Sequence, residues 1–230
     1  MPDLTLFVAG VKAVPFAATP VLAFDVRIAN RPIYERIHSV ALRCQIRIEA
    51  ARRLYDRDQA APLRDLFGEP DRWSETMRDM FWTHAAVHVP SFVESTSVDL
   101  NVACSFDFNV AATKYFYGLS SGEVPLLFLF SGSVFYEAAS GLLQVYPVSW
   151  EKESRFRLPL ATWRELMDLY YPNTNWLTLR RDVFDRLYRY KQRHGLPTWD
   201  AALERLLALA EEQVPYESPA GRRDRQRRPL

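Results

Sequence analysis

Apolar and polar residues alternate with a period of two along much of the first half of this chain. Val40, Leu42, Cys44, Ile46 and Ile48 fall on one side; Ala41, Arg43, Gln45, Arg47 and Glu49 fall on the other. Such a period places successive side chains on opposite faces of a strand, one toward a core and one toward water. Residues 22–29 repeat the pattern, with Leu22, Phe24, Val26 and Ile28 opposed by Ala23, Asp25, Arg27 and Ala29. Residues 98–108 repeat it again, and residues 4–11 follow it more weakly. Residues 124–148, VPLLFLFSGSVFYEAASGLLQVYPV, are different. They predict a long antiparallel hairpin, apolar on both faces in its first half, turning at residues 138–141. A strand that apolar must be covered on both sides. Within it, Ser131-Gly132-Ser133 marks a bulge or a close backbone approach.

The remaining segments have helical spacing. Residues 52–67 and 71–82 predict two short inserted helices, separated by Gly68 and Pro70. Residues 109–119 predict a third, with Tyr115, Phe116 and Leu119 inward. Residues 160–171 place Trp163, Leu166, Met167 and Tyr170 on one stripe and stop at Pro172. Residues 178–194 carry Leu179, Val183, Leu187 and Tyr190. Thr198 has the chemistry of an N-cap for a last helix bearing Ala202, Leu203, Leu206, Leu207 and Ala210. The expected fold is therefore α+β: antiparallel β-sandwich-like sheets with short inserted helices and a C-terminal helical layer. As domains, residues 1–158 form a β-rich region with a helical insertion at about 52–82, residues 159–212 a helical region packed on it as one compact domain, and residues 217–230 a disordered basic tail.

Composition narrows the function classes. With 230 residues, 48% hydrophobic and 25% charged, the chain is an ordinary globular one. Its longest apolar run, from Val124 to Phe130, is far short of the ~20 residues a membrane helix needs. The N-terminal residues lack the basic region of a secretory signal, which makes cytoplasmic the expected location. Cys44 and Cys104 sit at apolar positions of alternating strands and read as small buried hydrophobes, not a disulfide. The net charge is +1, yet the tail holds five arginines against Glu217 and Asp224. Arg222, Arg223, Arg225, Arg227 and Arg228 are the only residues offered for nucleic-acid contact. Without interleaved aromatics for stacking, a solvated terminus is the simpler account.

No motif carries a reaction. His84 and His88 have the i, i+4 spacing of a metal pair but lack the zincin glutamate and a third ligand, so no metal or other cofactor is expected. Ser120-Ser121-Gly122 and Ser131-Gly132-Ser133 do not make the nucleophile elbow, and no Gly-rich phosphate loop is present. Glu151 and Glu153 alternate with Lys152 and Arg155, as a solvated strand face does. The loop YYPNTNW, residues 170–176, presents Tyr171, Asn175 and Trp176 as candidate contacts for a partner. Phe128, Phe130 and Phe135 of the hairpin are the other candidates.

The ordered phrases RRLYDRDQAAPLRDLFGEPDRW, FDFNVAATKYFYGLSSGEVPLLFLFSGSVFY and LPLATWRELMDLYYPNTNWLTLRRDVFDRLYRYK give the chain a resemblance over nearly its whole length. It resembles a family of actinobacterial proteins of about this size, encoded beside genes for uptake nickel–iron hydrogenases. The resemblance implies an accessory or assembly role around an oxidoreductase complex and supplies no site residues. In layout alone, long antiparallel strands followed by helices, the chain is similar to the export chaperone SecB. The expected function is a non-enzymatic interaction protein that binds a protein partner through an apolar or aromatic surface. Two alternatives stay open. One is a holdase chaperone; the other is a small-molecule binder or enzyme with a cleft between sheet and helices, near His84, His88 and Trp176.

Overall fold

The computed structural model describes residues 1–105, 110–138, 140–175 and 177–213. The chain is α+β, and its described strands form two wholly antiparallel sheets. The first sheet runs in the order β1 (Asp3–Val14), β2 (Val21–Arg31), β5 (Ser95–Ala103). In the second, β4 (Met80–Val89) pairs β3 (Ile37–Ile48), which pairs β6 (Glu123–Glu137). The far edge of β6 is shared. Its first half pairs β8 (Glu153–Pro159), and its second half pairs β7 (Leu143–Pro147). The helices are α1 (Arg57–Phe67), α2 (Trp73–Thr76), α3 (Val110–Gly118), α4 (Leu160–Tyr170), α5 (Arg181–Arg193) and α6 (Trp199–Gln213).

The alternating sets meet in the core. Leu22, Phe24, Val26 and Ile28 of the first sheet are buried, as are Val40, Leu42, Cys44, Ile46 and Ile48 of the second. Phe24 bridges the two sheets. Its ring stands edge-on to Phe128 at 5.0 Å, to Phe156 at 6.0 Å and to Trp82 at 6.4 Å, distances at which the ring quadrupoles attract. At the sheet margin, the backbone N–H of Val8 in β1 donates to Ser154 Oγ of β8 at 3.1 Å. The helices join the core through the same rings. Phe116 of α3 lies 5.1 Å from Trp82 and stacks on Trp163 of α4 at 5.3 Å. The Tyr170 hydroxyl donates to Val14 O and accepts from Ala17 N, fixing the end of α4 on the β1–β2 connection.

Burial on both faces of the first half of β6 matches the hairpin pattern. Val124, Leu126 and Phe128 point to the core, and Leu127 is also buried on the opposite face. There Leu127 is flanked in register by Arg47 and Arg155, whose alkyl stems can shield an apolar neighbour while their heads stay wet. Glu49, expected on the solvated face of β3, is buried instead, and ion-pairs with Arg52 at 3.1 Å and Arg155 at 3.4 Å.

Gly132 lies where the edge partner of β6 changes. Phe130 N donates to Lys152 O and Val148 N to Gly132 O, so the two edge strands are stitched on either side of it. Its φ is +145°, and a Cβ there would sit 2.1 Å from Ala41 O of β3. The close approach expected at this glycine is what the structure contains.

Two further expectations change. The helix expected over residues 71–82 stops early: a 3-10 turn leads into the short α2, and from Met80 the chain is strand. Pairing with β3 overrides the helical spacing here. A register shift at Ile46/Arg47 lets both Trp82 and Thr83 turn inward, while Phe81 is half-exposed. The second change is the boundary. The chain divides into units 1–175 and 176–230, so α4 belongs with the sheets. The reason is burial: Leu160, Trp163, Leu166 and Met167 of α4 are in the core, whereas α5 buries no residue and Ala202 is the buried residue of α6. The basic tail lies outside the described residues. No described helix is long and apolar enough to cross a membrane.

Gly132→Ala should therefore lower unfolding stability by about 3 kcal/mol or more, because strained backbone and a backbone collision act together. Gly141→Ala, at φ +77° in open space in the hairpin turn, should cost only about 1 kcal/mol. Urea unfolding of the two variants measures the difference.

Candidate interaction surfaces

The hairpin contributes an exposed edge. β7 is the last strand of its sheet, paired with β6 on one side and with no described strand on the other. Gly141 N donates to Ala138 O and Ala138 N to Leu142 O, closing the turn, and the Tyr136 hydroxyl donates to Gln144 Oε1 at 2.8 Å. These bonds hold β7 flat on β6. Beyond them, Leu142, Leu143 and Val145 are 66%, 62% and 60% exposed, and β7 has no charged residue. Phe135 faces Val145 across the pair.

Of the three hairpin phenylalanines proposed as contacts, only Phe135 reaches this surface, and it is half-buried. Phe128 and Phe130 are core residues, exposed by 0% and 2%, and cannot meet a partner. Parity explains it: even-numbered positions of β6 face the core and odd-numbered ones face outward.

The aromatic loop lies over a concavity of about 550 Å³, where Tyr171 and Asn175 join Tyr117, Trp163, Arg164 and Asp168. Tyr171 is half-buried and Asn175 exposed; Trp176 lies outside the described residues. Leu119 and Ser120 line this cleft, and the segment that carries them is held by side chains that the sequence pattern did not single out. Arg164 donates to Leu119 O and Ser120 O. Arg53 donates to Ser121 O, to Glu123 O at 2.9 Å and to Gln59 Oε1 at 3.2 Å. Gln59, buried, gives its amide to Ser120 Oγ at 2.9 Å. Two guanidiniums thus satisfy the carbonyls that follow α3, as basic groups do at helix C-termini. One signal was available: Asp56 and Gln59 have the spacing of a capping box, and Asp56 does cap α1, accepting from Gln59 N at 2.8 Å.

The Tyr55 hydroxyl donates to Ala50 O and receives the Tyr115 hydroxyl at 2.7 Å. Burial raises both phenols above the ordinary tyrosine range. The cleft holds no nucleophile with a base beside it among its described lining. His84 and His88 are elsewhere, exposed on the outer face of β4, opposite Gln45 and Ala41. Among the described residues, no group of three metal-ligating side chains is present. Cys44 and Cys104 are free and buried, and burial pushes both thiols up to about 12.

Residues 1–215 match the family of unknown function DUF6084, and the chain belongs to it. No curated protein matches. Among solved structures, the chain is similar to a late embryogenesis abundant (LEA) protein, with 15% identity over 69% of this chain and 72% of that one, at a TM-score of 0.32. It is also similar to an ApaA protein from Bordetella pertussis, with 14% identity over 69% of this chain and 94% of that one, at a TM-score of 0.21.

The thiols give a test. A thiolate is the reactive form, so a thiol reagent at neutral pH should label neither cysteine in the folded chain and both after unfolding. The ordinary thiol value is near 9, against about 12 when folded. Between these values the unfolded chain releases protons that the folded chain keeps. The thiol contribution to stability is thus complete below about pH 9 and is lost as pH rises toward 12, by about 1.4 kcal/mol per pH unit for each thiol. Urea midpoints should fall across this window, and Cys44→Ala/Cys104→Ala should flatten the fall.

Proposed function

For this member of DUF6084 we propose a non-enzymatic interaction protein that takes an extended segment of a protein partner onto the free edge of β7. The observation that carries the reading is the combination of an unpaired edge with three exposed aliphatic residues and no charge. Such edges are normally blunted by Lys, by Pro or by a covering element, because their free N–H and C=O groups recruit another strand. Pro147 blunts only the end of β7. A docked segment would gain main-chain hydrogen bonds, and its alternate side chains would rest on Leu143, Val145 and Phe135.

The resemblance to proteins encoded beside uptake nickel–iron hydrogenase genes makes hydrogenase subunits the first partners to examine in this assembly role. A strand edge pairs with one extended segment through its main chain, which supports a specific partner over the broad surface of a holdase. The separate placement of His84 and His88 removes the support they lent to an enzyme cleft. We place the protein in the cytoplasm, which two free, buried cysteines support.

Leu143→Lys/Val145→Lys, both at exposed positions, should leave the thermal midpoint unchanged and weaken partner capture at least about tenfold, or about 1.4 kcal/mol. Affinity capture from the native host with the wild type and this variant in parallel reads the difference. Equal recovery of the same partner by both proteins, or no stoichiometric partner for the wild type, hydrogenase subunits included, would sink the reading.

A further inference from the structure

The second unit leaves an apolar face unmatched. Helices α5 and α6 form a hairpin in which the Thr198 hydroxyl caps α6, accepting from Ala201 N at 3.1 Å. Phe184, Tyr188 and Trp199 cluster at ring distances of 5.3 to 6.3 Å, with Lys191 over Trp199. On another face, Val183, Leu187 and Tyr190 of α5 and Leu206 of α6 line a groove of about 490 Å³. Leu207 beside it is 63% exposed and Leu209 42%. A pair of helices that buries one alanine gains little from packing and is marginal in water.

Charge says what fits this groove. Arg186, Arg189 and Arg193 rim it. Helix α5 has five basic residues against Asp182 and Asp185, a net +3. Helix α6 has Asp200, Glu204, Glu211 and Glu212 against Arg205, a net −3. The spacings agree as well. Arg186 and Arg193 are seven apart beside the Val183–Leu187–Tyr190 stripe, and Glu204 and Glu211 are seven apart beside Leu203, Leu207 and Ala210. Seven residues is two helical turns, the interval at which flanking charges pair across packed helices. No ion pair involving these four residues occurs within the described part of the chain. The Tyr190 hydroxyl, buried beside the groove, has no hydrogen-bond partner there.

We propose that the groove receives α6 of a second copy of this chain, so that two α5–α6 hairpins close into a two-fold four-helix bundle. Each copy then offers a basic groove and an acidic, leucine-bearing helix, which is the self-complementarity a two-fold interface requires. Leu206 and Leu207 pass into the bundle core, and the Arg186/Arg193 pair of one copy meets the Glu204/Glu211 pair of the other. The residues of this interface belong to the second unit, and those of the β7 edge to the first.

Sedimentation of the full chain from micromolar to millimolar concentration tests the proposal. The wild type should be a dimer and Leu207→Glu a monomer with unchanged helical circular dichroism. Arg186→Glu/Arg193→Glu and Glu204→Arg/Glu211→Arg should each weaken self-association about tenfold or more, since like charges then face each other. Mixed together, the two should form a heterodimer with near wild-type affinity, a recovery that misfolded variants could not give. Leu143→Lys/Val145→Lys should dimerise normally. A monomeric wild type across the whole range, or charge-reversed variants that self-associate like the wild type and show no preference for each other, would overturn the proposal.

Discussion

Phe24 meets Phe128, Trp82 and Phe156 within 6.4 Å, and α3 and α4 are arranged by the contacts that continue from these rings. Phe24 belongs to one sheet, Phe128 and Trp82 to the other, so the rings fix the face-to-face packing of the sandwich. Trp82 passes the contact to Phe116, and Phe116 to Trp163, which brings α3 and α4 against the same core. Each ring removes a large apolar area from water and also prefers an edge-on or offset neighbour. The relay therefore orients the elements as well as holding them.

Once α3 and α4 are seated, the chain between α3 and β6 has carbonyls to satisfy. Arg53 approaches from the segment before α1, and Arg164 from α4. Gln59 completes the set through Ser120. The polar work of the first unit is concentrated here, and it positions the start of β6. The far end of that strand then runs out past Gly132 to the β7 edge, where apolar residues meet solvent. Buried rings, a satisfied turn and an exposed edge form one continuous sequence of constraints along β6.

Much of this was legible in the chain. Strict alternation located β2, β3 and the core of β5, because the period of two belongs to the backbone itself, and the apolar run of residues 124–148 located the hairpin. Thr198 was legible as an N-cap and Gly132 as a close approach for the same local reason. The contacts of Arg53, Arg164 and Gln59 were not legible. Arg53 and Arg164 reach backbone carbonyls at Leu119 to Glu123, between 44 and 70 residues away, and every residue has a carbonyl; Gln59 reaches the Ser120 hydroxyl, 61 residues away. Phe128 and Phe130 share the parity of the core face of β6 and are buried there, not available as contacts.

By itself, the sequence determined the elements whose driving force is local: hydrophobic period, capping chemistry, and the glycine and proline positions. It also determined that α5 and α6 are amphipathic and oppositely charged. Only the tertiary structure decided the strand at Met80, where pairing with β3 outweighed helical spacing. It also decided the burial of Glu49 between Arg52 and Arg155, and the assignment of α4 to the sheets. It gave the β6–β7 hairpin its meaning, a covered first half and an exposed last strand. Coverage depends on which distant residues arrive beside a strand, and no local pattern encodes that.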